Sequence, residues 1–164
     1  MIKMLRLDER LIHGQIAIKW SRHLGVDRII VANDAAAANT IVQKSLMMAA
    51  PATAKTVIKP VADAIKLMND PRAEGLKILV IVSELADLEA VVSQVAGIPV
   101  INVGNYGRIA PKKEDAQRKT YGSNLYAYDD EVEILKRVLS HGVDTIYQTT
   151  PEDAPEKLSR VLGL

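Results

Sequence analysis

Short runs of aliphatic, often β-branched residues alternate along this chain with longer segments whose apolar residues recur every three or four positions. The first pattern is typical of strands buried on both faces, and the second of amphipathic helices. Because parallel strands need long crossover connections, the alternation predicts an α/β fold: a mostly parallel sheet of about seven strands with helices on both faces. The predicted strands are Ile2–Leu7, Arg28–Ala32, Thr56–Ile58, Lys77–Val82, Pro99–Val103, a weaker one within Lys119–Tyr128, and Val143–Tyr147.

The helix boundaries are marked by glycine, proline and capping residues. The first predicted helix carries Ile16, Trp20 and Leu24 on one face and ends at Gly25. No repeat or linker interrupts the 164 residues, so a single domain spanning 1–164 is expected. The remaining helices are predicted from about Ala35 to Ala49, from Pro60 onward, after Ser83 as N-cap, from about Asp130 to His141, and after Pro155.

Composition excludes several classes of function. There is no cysteine, so disulfides and thiolate catalysis are absent. The net charge of +1 gives no global attraction to nucleic acid or anionic lipid. The three histidines are widely spaced, so no metal site is predicted. No apolar run approaches the roughly 20 residues that span a bilayer, which predicts a cytoplasmic protein without direct membrane insertion.

His13 is the most informative residue for function, because it stands where a predicted strand ends and a predicted helix begins. A neutral imidazole is a good nucleophile near pH 7 and can carry a covalent group. The two arginines just upstream, Arg6 and Arg10, have the side chain that binds phosphoryl oxygens bidentately. The combination points toward phosphoryl transfer through histidine.

The surroundings of His13 add to this interpretation. A phosphate on the ring would face free N–H groups at the helix start, including those of Gly14 and Gln15. Asp8 is placed to orient the imidazole or to pair with an arginine. The alternative is structural: His13 caps or packs in the first helical turn, and the arginines are solvated. The residues alone leave both interpretations open.

Other polar residues follow neighbouring strands, where parallel α/β sheets bind ligands. Asn33 and Asp34 follow the second strand, and Ser83 follows the fourth. Each is expected either to cap a helix or to support the His13 site. The stretch Tyr106–Asp130 is basic and rich in tyrosine, so it is either a solvated face or a docking surface for a partner. The other histidines, His23 and His141, are predicted to be structural, in the last turns of helices.

The segment Leu7–Ala17, followed by Trp20, closely resembles the opening of enzyme IIB of the mannose/fructose/sorbose-type sugar phosphotransferase system (PTS). Its core, Asp8-x-Arg10-Leu11-x-His13-Gly14-Gln15, is specific to that family. The resemblance covers nearly the whole chain, through Arg28–Asp34, Met47–Pro51, Ile101–Gly104, Gly142–Asp144 and Gln148–Pro151.

This resemblance implies a phosphocarrier. His13 would take a phosphoryl group on Nδ1, the pros nitrogen, from a phosphohistidine of the IIA protein, with Arg6 and Arg10 binding the phosphate. It would then pass the group to a sugar of the mannose, fructose, sorbose or amino-sugar class held by the IIC and IID membrane components. The subunit would need no cofactor, would associate peripherally with the transporter, and would form a homodimer as family members suggest.

The sequence departs from the family pattern in two places. Many members have a Gly-Gly pair where this chain has Gly104-Asn105, and Tyr106–Asp130 is longer and richer in tyrosine than expected. One rival interpretation is a regulatory or binding module of the same fold, phosphorylated on His13 without onward transfer to sugar. Another is a small hydrolase with His13 as base beside Asp8, although no activated nucleophile is evident.

Overall fold

A computed structural model describes residues 1–164. Nine strands are formed in chain order, and seven of them build one sheet in the order β3-β2-β4-β1-β5-β8-β9. All neighbours in this sheet are parallel except β8 and β9. The strands are β1 Ile2–Asp8, β2 Arg28–Ala32, β3 Lys55–Lys59, β4 Ile78–Val82, β5 Val100–Asn105, β6 Lys119–Gly122, β7 Leu125–Ala127, β8 Asp144–Tyr147 and β9 Glu156–Lys157.

Seven α-helices and one 3-10 helix connect the strands. Their lengths are modest, from four to eleven residues. None is long and apolar enough to cross a bilayer. The helices are α1 Ile16–Leu24, α2 Asp34–Ala37, α3 Thr40–Ala49, α4 Val61–Asn69, α5 Leu85–Gln94, α6 Asp129–Leu139 and α7 Leu158–Val161, with the 3-10 turn at Pro71–Gly75.

Each face of the sheet has its own apolar core, since side chains alternate along a strand. In β4, Ile78, Val80 and Val82 belong to the larger core under α4, α5 and α6, whereas Leu79 and Ile81 belong to the smaller core under α1 and α3. Every residue of β4 is buried. The predicted α/β fold, with a mostly parallel seven-stranded sheet covered on both faces, is confirmed.

The seven strands are not the predicted seven. The Lys119–Tyr128 region lies outside the main sheet and folds back on itself as the antiparallel pair β6-β7. The seventh place is taken by β9, which has only two residues and no apolar pattern to reveal it. A two-residue strand forms because β8 offers its free edge, which is information from the tertiary structure.

Three helix boundaries also differ from the prediction. The helix expected from Ala35 to Ala49 is two helices, because the Asn39 side chain accepts hydrogen bonds from the N–H groups of Ile41 and Val42 and so starts α3 afresh. Ser83 is not the N-cap of α5; Glu84 occupies that position. The helix α6 ends at Leu139, so His141 lies beyond its last turn.

Candidate functional site

The strands β1, β2, β4 and β5 end at one edge of the sheet, called the carboxyl edge here. At this edge β1 ends at Asp8 and continues into the His13 loop, Glu9–Gln15. Leu11 and Ile12 are buried in the smaller core and anchor the loop. Leu11 has a φ of 60°, a left-handed conformation that costs a residue other than glycine about 1–3 kcal/mol and persists only where the surroundings enforce it.

The His13 imidazole is held at one nitrogen only. Its Nε2 lies 3.2 Å from Oδ2 of Asp8, and Nδ1 makes no hydrogen bond within the chain. Because the ionised carboxylate can only accept, the proton of the neutral ring resides on Nε2 and the lone pair on Nδ1. The side chain is 23% exposed. The geometry therefore leaves Nδ1 as the ring nitrogen with a free lone pair.

Asp8 is fully buried and organises this arrangement. Its carboxylate accepts hydrogen bonds from His13, from Nη2 of Arg6 at 3.0 Å and from the backbone N–H of Arg10 at 3.1 Å. Burial raises the pKa of Asp8, but the bond from His13, the charge of Arg6 and the N–H of Arg10 outweigh it, so the pKa lies below the usual value. Asp8 is ionised at neutral pH and fixes the ring.

Arg6 lies in the site, but not as a free phosphate clamp. Its side chain is 2% exposed, and four of its five N–H groups are donated to protein oxygens. Burial lowers its pKa, partly offset by the charge of Asp8. A Cβ at Gly104 would lie 2.3 Å from the guanidinium, so the backbone passes directly over it. The acceptors are Oδ1 of Asn102, the carboxylate of Asp8, and the carbonyls of Gln148 and Thr149, at 3.3 and 3.1 Å respectively.

Arg10 differs from Arg6 in every respect that matters for an incoming anion. It is exposed, and its guanidinium makes no hydrogen bond or ion pair within the chain. The exposed residues Gly14 and Gln15 complete the loop. The helix α1 begins at Ile16 with Gln15 as its N-cap, so His13 lies just before the helix start, two residues ahead of the N-cap.

Asn33, Asp34 and Ser83 are not hydrogen-bonded to His13. Asn33 caps α2 through Ala36 N–H and donates from Nδ2 to Oγ of Ser83 at 2.8 Å. Asp34 accepts from the backbone N–H of Val61 at 2.8 Å, at the start of α4. Asn33 thus caps its own helix and ties the end of β2 to the end of β4, whereas Asp34 ties the start of α2 to the start of α4.

Several residues that hold the site carry no signal in the sequence. Asn102 and Gln148 lie about 100 and 140 residues away from Arg6 along the chain, yet provide its acceptors. The indole Nε1 of Trp20 donates to the Thr149 carbonyl at 3.0 Å, and Arg6 lies 5.4 Å from the Trp20 ring centroid. Only the resemblance, which includes Trp20, Ile101–Gly104 and Gln148–Pro151, indicates that they matter.

The Tyr106–Asp130 stretch is ordered by internal ion pairs. Arg118 donates to both oxygens of Glu131 at 2.8 and 3.2 Å, and Tyr106 donates to Glu131 as well. Lys113 pairs with Asp130 at 2.7 Å. Three of the five basic side chains in this stretch, those of Lys113, Arg118 and Lys119, are therefore paired with carboxylates. No cluster of three or more acidic or histidine side chains is arranged to hold a metal.

Comparison with known proteins identifies the family of this chain. The family described as "PTS system sorbose subfamily IIB component" matches residues 2–164. A probable phosphotransferase enzyme IIB component of Streptococcus pyogenes is 37% identical over 164 residues, which is 99% of this chain and all of that protein. The mannose-specific EIIAB component of Escherichia coli is 29% identical over 163 residues, 99% of this chain but 48% of that protein.

Solved structures show the same fold. The IIB domain of the sorbose permease from Klebsiella pneumoniae superposes with a TM-score of 0.88 at 20% identity, covering 99% of this chain and 96% of that one. At this identity the likeness establishes the fold alone, whereas the family match extends over the functional motif as well. This chain belongs to the sorbose subfamily of PTS enzyme IIB components, the phosphocarrier subunits of mannose- and sorbose-type sugar transport.

Proposed function

We propose that Nδ1 of His13 is the atom that carries the phosphoryl group, and that Asp8 dictates this choice. The observation that supports it best is the 3.2 Å contact between Nε2 and Oδ2 of Asp8, which leaves Nδ1 unbonded. The donor is a phosphohistidine on a IIA protein, and the acceptor is a hydroxyl of a sugar held by the IIC and IID membrane components. The EIIAB name of the mannose-specific relative fits a IIA donor.

In the first step the Nδ1 lone pair attacks phosphorus in line with the donor P–N bond. The new P–Nδ1 bond forms as the donor nitrogen leaves with the bonding electron pair, so both the charge and the atoms balance. The Nε2 proton stays where it is, and the Asp8 carboxylate stabilises the positive charge that develops on the ring. Such a transfer needs positioning and electrostatics more than covalent assistance from the protein.

In the second step a sugar hydroxyl oxygen attacks the same phosphorus and the P–Nδ1 bond breaks. The electron pair returns to Nδ1, and the hydroxyl proton passes to a base on the side of the partner that holds the sugar. His13 is restored as the neutral Nε2–H tautomer. The carrier therefore needs no cofactor, because the energy of the P–N bond drives the transfer.

Arg10 is the phosphate ligand we favour, since it is exposed and has no internal partner. Gly14 lacks a Cβ and has a φ of 51°, which lets an anion approach the backbone of Gly14 and Gln15 closely. Arg6 has a different proposed role: it holds the Asp8 carboxylate in place and so acts on His13 indirectly, through Asp8. The proposed sugar is of the mannose, fructose, sorbose or amino-sugar class, and the protein works at the membrane surface through its partners.

The test is phosphate transfer from phosphoenolpyruvate through the general PTS proteins and a mannose-type IIA. The expected product is an acid-labile, alkali-stable label on a peptide containing His13. Discharge of this label by sugar and membranes with IIC and IID supports the full carrier role. A label that stays in place would instead support the regulatory alternative, and absence of label beside an active IIA would contradict the proposal.

A further inference from the structure

Glu9 is an acidic residue whose hydrogen-bond partners are all backbone N–H groups. Its side chain reaches from the His13 loop to the connection after β5, and the residue is 9% exposed. Four N–H groups on one short segment, 107–110, surround the carboxylate. Oε1 accepts from Gly107 at 3.0 Å and from Ile109 and Ala110 at 3.2 Å, and Oε2 accepts from Arg108 at 2.9 Å.

The segment that Glu9 contacts is held firmly from its other side. Arg118 donates to the carbonyls of Ala110 and Pro111 at 3.0 and 2.7 Å, and is itself paired with Glu131. Gly107 has a φ of 105°, and a Cβ there would lie 2.0 Å from the carbonyl oxygen of Tyr126. The segment is therefore a rigid support, with its N–H groups facing one buried charge and its carbonyls facing another.

Glu9 is also the residue between the two that serve His13. Asp8 before it orients the imidazole, and Arg10 after it offers the free guanidinium. The Glu9 N–H donates to the Asn105 carbonyl at 2.9 Å, so both its backbone and its side chain are fixed to the chain around β5. Two residues later the backbone takes the strained left-handed conformation at Leu11, which needs constraints on either side to persist.

We propose that Glu9 is a positioning residue for phosphoryl transfer: it anchors the His13 loop to the 107–110 segment and so sets the place of the imidazole and of Arg10. It acts through the loop, since its bonds reach neither side chain. This proposal rests on the proposed role of His13. Its consequence is that loosening Glu9 affects the rate of the chemical step more than the binding of the phosphoryl donor.

The variant that tests this is Glu9→Gln, which keeps the size of the side chain but places an NH2 group against an N–H donor. The matched control is Arg118→Gln, which loosens the same segment from its carbonyl side without touching the His13 loop. Transfer from phospho-IIA is followed over a range of donor concentrations. In Glu9→Gln the rate at saturating donor is expected to fall on the order of 10-fold, with KM within about twofold. In Arg118→Gln the saturating rate is expected to fall far less than in Glu9→Gln, because the four N–H groups still hold the Glu9 carboxylate.

A second readout does not depend on transfer. The His13 ring signals in 1H–15N spectra are expected to shift in Glu9→Gln and to stay in place in Arg118→Gln. Equal losses of rate in the two variants would overturn the proposal, because order of the segment alone would then explain both. Wild-type rate and unshifted ring signals in Glu9→Gln would overturn it as well. Failure of the wild type to accept phosphate on His13 would instead refute the proposed function, and the ring signals would still decide the role of Glu9.

Discussion

Two groups of polar residues lie at the carboxyl edge of the sheet, and they differ in what they leave unbonded. At the ends of β2 and β4, Asn33 and Asp34 bond to helix N–H groups, and Asn33 also donates to Ser83. At the end of β1, His13 keeps one ring nitrogen free. The same kind of position, a polar residue after a buried strand, thus serves stability in one place and, in the proposed function, chemistry in the other.

The difference arises because only the group at the end of β1 contains a buried ion pair. Arg6 and Asp8 are both almost fully buried, and their ion pair is completed by an amide and carbonyls. Burying such a pair gives little net stability, since desolvation offsets the attraction. The benefit is a carboxylate that is fixed in position and charge beside Nε2 of the His13 ring. In the proposed function, His13 is reactive because a costly buried network holds its ring in place and leaves Nδ1 without a partner.

The largest effect is expected from removing the reactive group itself. His13→Ala should abolish phosphate acceptance, because no other nucleophile is held in this way, while the unfolding transition stays close to that of the wild type. Labelling from phospho-IIA together with thermal unfolding measures both. The matched control is His141→Ala, since His141 is exposed and remote from β1 in sequence. Label on the His13→Ala protein would contradict the assignment.

The next effect concerns the residue that orients the ring. Asp8→Asn keeps the shape but removes the charge that holds the Nε2–H tautomer, and it leaves the Arg6 charge uncompensated. Transfer should slow on the order of 1,000-fold, and the free energy of unfolding should fall by about 3 kcal/mol. Rapid-quench kinetics and urea unfolding measure the two losses. A stability loss without a loss of rate would show that Asp8 is purely structural.

Asp8 also predicts a dependence of stability on pH. Its folded-state pKa is lowered below the unfolded value of about 3.9, so the folded protein binds fewer protons than the unfolded chain in this range. The stability it contributes is therefore fully present above about pH 4 and is lost as pH falls through the folded pKa. In urea unfolding, the difference in the free energy of unfolding between the wild type and Asp8→Asn should become smaller below pH 4. A difference that grows on acidification would contradict a lowered pKa of Asp8 in the folded protein.

A smaller effect is expected at Arg10. Arg10→Gln removes an exposed cation that has no internal partner, so transfer should slow by roughly 10- to 100-fold with no measurable change in stability. Arg10→Lys keeps the charge but not the bidentate geometry, so its transfer rate should lie between those of the wild type and Arg10→Gln. Transfer kinetics and thermal unfolding of all three proteins check this. An unchanged rate in Arg10→Gln would mean that another group binds the phosphate.

The smallest effect on function is expected at the caps. Asp34→Ala removes the acceptor for the Val61 N–H, which should cost about 1 kcal/mol of stability and leave the transfer rate unchanged. Asp34→Asn keeps an acceptor oxygen and should lose less stability than Asp34→Ala. Urea unfolding and transfer kinetics test both variants. A slowed rate in Asp34→Ala would break the contrast between the two groups of residues.

Much of the fold is predictable from local pattern, because buried strands and amphipathic helices leave periodic signals. The break between α2 and α3 had a usable signal in Asn39-Thr40, since asparagine is a favoured N-cap. The two-residue strand β9 had none. Its pairing depends on the exposed edge of β8, which exists only in the folded protein.

The candidate site is likewise predictable from the sequence only in part. The position of His13 and the motif around it can be read from the sequence, but the different fates of Arg6 and Arg10 cannot. Arg6 is on β1 and its acceptors come from β5 and from the chain after β8, so its burial is decided by tertiary neighbours. The contacts of Glu9 cannot be predicted from the sequence for the same reason, because its partners lie about 100 residues further along the chain.

The most direct test of the central claim is the regiochemistry of the phosphorylated histidine. The wild-type protein, labelled uniformly with 15N and phosphorylated through IIA, is examined by long-range 1H–15N correlation of its imidazole rings. We predict that phosphate resides on Nδ1 of His13 and that Nε2 keeps its proton beside Asp8. Phosphate on Nε2, or on another residue, would contradict the claim that the Asp8 contact selects the nucleophilic atom.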